Sequence, residues 1–282
     1  MAAPSGPGSA LSAMSLEPLI IVGLLVLGSF TGLMAGMFGI GGSMLMVPFM
    51  TWFMGRMGVP ADWQVHAAIG TALATLCFSS LSSVRAHHKR GAVRWPVVVA
   101  LTPGILLGSY FGAWIATQLN RRVLAVLFGS FVCFSAWQMI VNRKPKPSRA
   151  LPGRSGMLAA GGVIGTLSGL LGAGGGFVSV PFMVWCNVVI HNAVATSAAL
   201  GFPIAVAGTA SYILNGWHVP GMPPNSIGFL YLPAVVVISI ASVSTAPLGA
   251  RIAHSMDTTA LKRAFAALLF LLGGYMFWRG VM

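Results

Sequence analysis

The chain has 282 residues, of which 56% are hydrophobic and only 7% are charged. A soluble domain carries about 25% charged residues, so this composition excludes a soluble enzyme, a disordered tail and a secreted disulfide scaffold. Sixteen Lys and Arg against three Asp and Glu give a formal net charge of +13. Because this charge lies on an apolar chain and not on a polar fold, we expect no nucleic-acid partner. The composition predicts an integral membrane protein.

Apolar segments recur along the chain with short polar breaks between them. A helix needs about 20 residues to cross the hydrocarbon core, so we predict an all-α polytopic bundle with about eight full transmembrane helices. Two segments, 44–55 and 177–190, are shorter and predict broken or re-entrant helices. Residues 1–17 lack Lys and Arg, unlike a signal peptide, and predict a flexible tail. The segments are 18–38, 44–55, 66–84, 95–117, 121–141, 156–172, 177–190, 193–214, 227–250 and 259–278.

An internal repeat organises these segments. Residues 28–52 and 161–185 share 11 identities in 25 positions at a constant offset of 133. The sequence therefore predicts a first transmembrane repeat over 18–141 and a second over 156–282, joined by a basic cytoplasmic linker at 142–155.

The positive charges predict that the two repeats are inverted. Cytoplasmic loops of membrane proteins collect Lys and Arg. An odd number of crossings in each repeat would put twelve of the sixteen Lys and Arg on one side, whereas parallel repeats would put ten there. Inverted repeats are a common plan of secondary transporters, whose binding sites lie near the midplane where the repeats meet.

Each repeat contains a glycine cluster that is too dense for an ordinary helix. A Val-Pro-Phe-Met sequence follows each cluster and predicts a new short helix, whose free N–H groups and dipole would favour an anion. The alternative is a hinge or tight crossing without a ligand. The candidate substrate-binding residues in these clusters are Gly39, Gly41, Gly42, Ser43, Gly172, Gly174, Gly175 and Gly176.

Hydroxyl groups in the third segment of each repeat are candidates to complete the site. Thr71, Thr196 and Ser197 occupy related positions there. The alternative is that these hydroxyls bond to their own helices.

Carboxylates, metal ligands and catalytic motifs are scarce. Glu17, Asp62 and Asp257 lie outside or at the edge of the hydrophobic segments, so proton or sodium coupling through a buried acid is not expected. The three cysteines have no metal-ligand spacing. We therefore predict no cofactor, no metal and no catalytic residue. Ser168 paired with a histidine is a formal alternative that would make the chain an intramembrane hydrolase.

The paired motif GxGG[GS]xxxxVP, followed in each half by Ala-x-[Gly/Ala]-Thr, resembles the TauE/SafE family of sulfite and organosulfonate transporters. The resemblance spans about residues 18–280, and the first copy has Ser43 where the second has Gly176. It implies a multi-pass permease of the bacterial inner membrane for small sulfur-containing anions.

The hypothesis is a secondary transporter that exports sulfite or an organosulfonate. With a negative cytoplasm, each anionic charge that leaves gains about 2.3 kcal/mol per 100 mV. The expected partners are the small anion and the lipid bilayer. A homo-oligomer is a further possibility that the sequence leaves open. The alternatives are an anion channel, an intramembrane enzyme and a non-transporting membrane scaffold.

Overall fold

The computed structural model describes residues 18–38, 42–141, 150–255 and 259–281. The expected tail, 1–17, and much of the expected linker, 142–149, lie outside the described residues. The all-α membrane fold class is confirmed. The helices are α1 (Pro18–Phe38), α2 (Ser43–Arg56), α3 (Gln64–His88), α4 (Trp95–Gln118), α5 (Arg121–Val141), α6 (Arg154–Leu171), α7 (Gly176–Trp185), α8 (Ile190–Gly216), α9 (Leu232–Ser255) and α10 (Thr259–Val281).

Seven of the described helices are long and apolar enough to cross a membrane: α1, α3, α4, α5, α8, α9 and α10. The two segments predicted to be short are short helices, with 14 residues in α2 and 10 in α7. The eighth predicted crossing, α6, has 18 residues, and its glycines and Arg154 make it less apolar. Large apolar side chains such as Val99 and Leu271 point outward, each 69% exposed. Apolar surface of this kind is typical of a face that contacts lipid.

A short β-hairpin precedes α9, so the prediction of a helix from residue 227 is wrong at its start. Strand β1 (Ser226–Ile227) pairs antiparallel with β2 (Leu230–Tyr231). The loop between them begins at Gly228, whose φ of +57° suits a two-residue hairpin turn. The side chain of Phe229 is buried beside Trp63 and Tyr212. The hairpin therefore covers one end of α3 and α8.

Glycines form the crossing between α1 and α9. A Cβ at Gly28 would lie 2.7 Å from the carbonyl oxygen of Ile238, and one at Gly32 would collide with that of Ser242. Gly36 meets the next turn of α9 in the same way. Because the contacts advance in the same direction along both helices, α1 and α9 run parallel. Small residues in this pattern let helix backbones approach closely in lipid.

The pair α4 and α6 repeats this arrangement. A Cβ at Gly104 would collide with the carbonyl oxygen of Leu158, and one at Gly108 would collide with that of Gly162. These contacts advance in the same direction along both helices, so α4 and α6 are also parallel. Two other pairs run antiparallel. In α3 and α8, a Cβ at Gly201 would lie 3.4 Å from Ser80, and one at Gly208 would lie 2.9 Å from Leu73. The α5 and α10 pair is antiparallel by the same kind of contact.

The helix pairings are reciprocal between residues 18–141 and 156–282. The first helix of each segment packs on the fourth helix of the other, which gives the pairs α1–α9 and α6–α4. The third helices pack on each other, and so do the fifth helices. The interface between α3 and α8 consequently lies in the middle of the bundle, where both helices are mostly buried.

The two ends of the bundle differ in charge. One end, called the basic end here, carries Arg90, whose Nη1 donates to the Ala250 carbonyl at 2.8 Å. The opposite end, called the hairpin end, carries the β-hairpin and Arg279, whose Nη2 lies 3.5 Å from Gln64 Oε1. Arg56, Arg121 and Arg122 also lie at this end. The basic end also contains Arg85, Lys89, Arg94, Arg154 and Arg251.

Two glycines of α6 provide a matched test of the crossings. A Cβ at Gly165 would lie 2.5 Å from the Ile105 carbonyl oxygen, whereas a Cβ at Gly162 would meet nothing within 4 Å. Gly165→Ala should lower the free energy of unfolding by about 1–3 kcal/mol, the usual cost of overpacking. Gly162→Ala should raise it by up to about 1 kcal/mol, because alanine favours the helix. Unfolding of both variants in detergent measures the difference, and equal effects would contradict the crossing.

Candidate functional site

The first glycine break leads into α2. Gly42 and Ser43 lie at the start of this helix, while Gly39 and Gly41 lie outside the described residues. A Cβ at Gly42 would collide with the backbone of Thr31 in α1. Only glycine fits such an approach, and it brings the first turn of α2 alongside the middle of α1.

A cavity, called the α2 cavity here, adjoins this first turn. It lies between α1, α2, α3 and α9, and its volume of about 10 Å³ leaves room for about one water molecule. Most of its polar groups are hydroxyls. Its lining residues are Thr31, Gly42, Ser43, Met46, Ala72, Thr75, Leu76, Ser79 and Ser242.

Ser43 supplies an unused polar group in this cavity. Its side chain is 4% exposed, and its Oγ makes no hydrogen bond within the described part of the chain. A buried hydroxyl without a partner costs about 1–3 kcal/mol, and buried polar groups in proteins normally have partners. Ser43 Oγ is therefore available to a ligand.

The start of α2 adds backbone donors next to Ser43. The helix has Gly42 at its N-cap and no side-chain capping bond. The N–H groups of Leu45 and Met46 bond to the Gly42 carbonyl at 3.2 and 3.3 Å, so those of Ser43 and Met44 precede the first bonded turn. The N–H groups of a first helical turn and the helix dipole together favour a negative charge at this position.

Three other hydroxyls of the α2 cavity bond to the backbone of their own helices. Thr31 Oγ1 donates at 3.2 Å, Thr75 Oγ1 at 3.0 Å and Ser79 Oγ at 3.4 Å. Each would have to rotate to donate to an anion. The Ser79 hydrogen bond is the longest of the three, so Ser79 loses the least hydrogen-bond energy when its hydroxyl rotates.

The second glycine break has a different character. Gly172 ends α6 with a φ of +65°, and Gly175 precedes α7 with a φ of +75°. A Cβ on Gly175 would collide with the side chain of Ile204 and would lie 3.6 Å from Ile164. The polar group nearby is Ser168 Oγ, which is buried and makes no hydrogen bond within the described residues.

The two breaks therefore differ in polarity although their sequences repeat. At the offset of 133 residues, Thr31 corresponds to Ile164, and Ser43 corresponds to Gly176. The start of α2 faces several hydroxyls, whereas the start of α7 faces two isoleucine side chains and the single hydroxyl of Ser168. The first break is accordingly the better anion site.

Gly174 and Ser197, also predicted at the site, line a neighbouring cavity, called the α8 cavity here. Ser197 Oγ accepts a hydrogen bond of 2.8 Å from Ser179 Oγ. This cavity is as small as the first. It is lined by Ala35, Leu76, Ser80, Ser83, Gly174, Ser197, Ala198 and Gly201.

Thr71 and Thr196 lie outside both cavities and join the two halves of the bundle. Thr71 Oγ1 accepts a 3.1 Å hydrogen bond from the N–H of Tyr231, just before α9. Thr196 Oγ1 accepts a 3.0 Å bond from the N–H of Arg94, just before α4. The two bonds are reciprocal, since each ties the third helix of one half to the start of the fourth helix of the other.

Ser168 does not form the serine–histidine pair that a hydrolase would need among the described residues, because its Oγ has no hydrogen-bond partner there. His66 lies near the hairpin end and is 1% exposed. Its Nε2 lies 3.1 Å from the carbonyl oxygens of Ala116 and Leu119. His66 thus connects α3 to the end of α4.

The interior that the structure describes contains no three-residue metal cluster and no buried acid. Residues 18–38, 42–141, 150–255 and 259–281 contain no cluster of three His, Cys, Asp or Glu that could hold a metal ion. Asp62 is exposed at the hairpin end. The charge of a bound anion would therefore meet hydroxyls and amides and no carboxylate in this interior.

Serines of α3 and α9 line the two cavities but are not among the candidates predicted from the sequence. Ser79, Ser80 and Ser83 line the cavities from α3, and Ser242 does so from α9. A signal was present in the α3 sequence, where hydroxyl residues recur at the four-residue spacing that places side chains on one helix face. Nothing in the sequence around Ser242 distinguishes it from the lipid-facing Ser244.

The fold and the site define a multi-pass membrane protein in which a short helix starts beside a buried, hydroxyl-lined cavity. Residues 24–276 match the family described as "Sulfite exporter TauE/SafE", and the chain belongs to this family. It is a membrane transporter by that membership.

Relatives from distant organisms carry similar names. A "Probable membrane transporter protein" of Haemophilus influenzae is 33% identical over 255 residues, covering 90% of this chain and 96% of the relative. A protein of the same description from Methanocaldococcus jannaschii is 26% identical over 260 residues, covering 92% of this chain and 96% of the relative. The Bacillus subtilis "Probable membrane transporter protein YunE" is 27% identical over 278 residues, covering 92% of this chain and 97% of the relative. No solved structure matches the chain.

The reciprocal bonds predict a structural role for Thr71. Thr71→Val keeps the side-chain shape but leaves the buried N–H of Tyr231 without its acceptor, which should cost about 1–3 kcal/mol in the free energy of unfolding. Thr71→Ser should restore most of this loss. Thr117→Val is the control, because its hydroxyl bonds only to its own helix near the surface. Unfolding in detergent measures all three, and a Thr71→Val variant as stable as the control would contradict this role.

Proposed function

We propose that the protein is a secondary transporter that exports a small sulfur-containing anion, such as sulfite or an organosulfonate, across the bacterial inner membrane. The anion binds in the α2 cavity. The observation that carries this proposal is Ser43 Oγ, a buried hydroxyl without a hydrogen-bond partner among the described residues, at the start of a helix whose N-cap is a glycine. The family description supports the class of substrate.

The chemistry of the α2 cavity suits an oxyanion. Sulfite and sulfonates present several acceptor oxygens, and the cavity offers hydroxyl and amide donors. Hydrogen bonds to a charged group are worth about 1.5–3 kcal/mol each. Since Asp62, the one acid among the described residues, is exposed, the bound anion meets no like charge in the described interior. Donors without a fixed cation hold an anion firmly enough to select it and weakly enough to release it.

The direction follows from the membrane potential. An anion that leaves a negative cytoplasm gains about 2.3 kcal/mol per charge per 100 mV. Export therefore needs no coupling ion, which agrees with the absence of buried acids in the described helices. The basic end faces the cytoplasm in this proposal, in keeping with the distribution of Lys and Arg.

Two inverted repeats, 18–141 and 156–282, give this transporter its alternating access. The support is the reciprocal pairing of α1 with α9 and of α4 with α6. The third helices are antiparallel to each other, as are the fifth helices, which is the relation expected for repeats of opposite orientation. Both cavities are too small for sulfite in this conformation, so the anion enters when the halves rock apart.

The function is tested by sulfite and sulfonate flux in proteoliposomes. We expect saturable flux that increases when the compartment on the basic-end side is made negative. Ser43→Ala should raise the half-saturating sulfite concentration by about tenfold or more, because one hydrogen bond to a charged group is lost. Ser244→Ala is the control, since its exposed hydroxyl bonds only to its own helix.

The alternatives to a transporter predict other outcomes of the same flux measurement. An anion channel would give flux that does not saturate with concentration. An intramembrane enzyme or a scaffold would give no flux. Absence of flux for every sulfur anion tested would contradict the proposed function, and equal half-saturation for Ser43→Ala and Ser244→Ala would contradict the proposed site.

A further inference from the structure

A hydroxyl stripe runs along α3 from the middle of the bundle toward the basic end. Thr75, Ser79 and Ser83 follow one another at intervals of four residues, so their side chains share one face of the helix. All three are buried, with 4% exposure or less. At 1.5 Å per residue, the stripe from Thr75 to Ser83 spans about 12 Å along the helix axis.

Both cavities lie along this stripe. Thr75 and Ser79 line the α2 cavity, and Ser83 lines the α8 cavity. Leu76 belongs to the walls of both cavities and is 3% exposed. The two spaces are therefore neighbours, with the Leu76 side chain at the boundary between them.

Ser83 gives the α8 cavity a second unused polar group. Its side chain is 2% exposed, and its Oγ makes no hydrogen bond within the described residues. Ser80 and Ser197 supply further hydroxyl oxygens from the two sides of the cavity, and Gly174 exposes backbone from the second break. A buried hydroxyl that lacks a partner is costly, as it is for Ser43 in the first cavity.

The position of the α8 cavity relates it to the charged surface. The stripe points toward the end of α3, where Arg85, Lys89 and Arg90 follow within a few residues of Ser83. A basic mouth raises the local concentration of anions. The order along the path is then the basic end, the α8 cavity, Leu76 and the α2 cavity.

We propose that the α8 cavity is a second anion station, which an oxyanion occupies between the basic end and the α2 cavity. Leu76 is the barrier between the two stations. Occupancy of successive weak sites lets an anion advance without a single deep trap. The inference deepens the proposed function, but its central claim, an anion path from the basic end to Ser83, is tested without measuring transport.

The test is cysteine labelling in a variant whose native Cys77, Cys133 and Cys186 are replaced by alanine. Ser83→Cys and Ser80→Cys are introduced singly and treated with a membrane-impermeant sulfonate-bearing thiol reagent. Ser80→Cys is the second reporter on the same cavity if one variant folds poorly. Lys89→Cys, at the basic end, is the accessible control, and Ser244→Cys, on the outer surface of α9, is the lipid-facing control.

We expect Ser83→Cys and Ser80→Cys to react from the basic-end side several-fold faster than Ser244→Cys. Relative to Lys89→Cys, both should react faster with the anionic reagent than with a cationic ammonium reagent of similar size. Leu76→Ala should extend labelling to Ser43→Cys from the same side. Three results would overturn the proposal. They are labelling no faster than at Ser244→Cys, labelling only from the hairpin-end side, and a preference for the cationic reagent.

Addition of sulfite separates this inference from the proposed function. Slower labelling of Ser83→Cys with sulfite present supports both. Anion-selective labelling that sulfite does not slow, in a protein that gives no sulfite flux, supports the second station and contradicts sulfite as the substrate. Sulfite flux without anion-selective labelling at Ser83→Cys or Ser80→Cys supports the proposed function and contradicts the second station.

Discussion

Two parallel helix pairs, α1 with α9 and α4 with α6, meet backbone to backbone because glycines line both crossings. Lipid provides no hydrophobic force to hold helices together, so close packing of small residues has to do so. Each pair joins a helix from 18–141 to a helix from 156–282. The remaining helices take their positions from this framework, and α3 and α8 are left facing each other in the middle.

The same framework explains why irregular backbone is tolerated inside the bundle. A break in a helix exposes N–H and C=O groups, which survive at membrane depth only where protein or a cavity surrounds them. Gly42, at the start of α2, lies against Thr31, and Gly175, before α7, lies against Ile164 and Ile204. Gly42 lines the cavity with more hydroxyl groups, and Gly174 of the second break lines the other cavity. The two similar sequences therefore adjoin two cavities that differ in polarity.

The absence of buried acids in the described helices gives the cavities their character. In a medium of low dielectric constant, an unpaired charge is very costly, so a resident carboxylate would repel an anion strongly. Hydroxyl groups adapt, because each can donate or accept according to its rotation. Ser43 and Ser83 illustrate this, since neither hydroxyl is tied to a protein partner within the described residues. An anion can therefore be bound and released without a permanent counter-charge.

Much of the fold was predictable from the sequence, because length and hydropathy determine which segments form helices in lipid. The short helices α2 and α7 followed from the glycine clusters and short apolar runs. The hairpin at 226–231 was missed because its apolar residues resemble the start of a helix, and only Gly228 marks a turn. Gly42 and Ser43 were predicted at the site from local sequence.

Other parts of the site depend on packing between distant segments, which a single sequence does not reveal. Thr71 and Thr196 were predicted at the site as hydroxyl candidates. Their bonds to Tyr231 and Arg94 depend on how the halves interlock. Ser242 enters the α2 cavity from α9 for the same reason. The position of Ile204 next to Gly175, which adds to the polarity difference between the breaks, also depends on this packing.

The central claim is that the anion binds beside Ser43 at the start of α2. Selenite, a pyramidal oxyanion similar to sulfite, allows a direct test by its anomalous scattering in a crystal of the protein. The account predicts a selenium peak in the α2 cavity with an oxygen within hydrogen-bond distance of Ser43 Oγ, and loss of that peak in Ser43→Ala. A peak beside Gly175 at the start of α7, with none near Ser43, would contradict it.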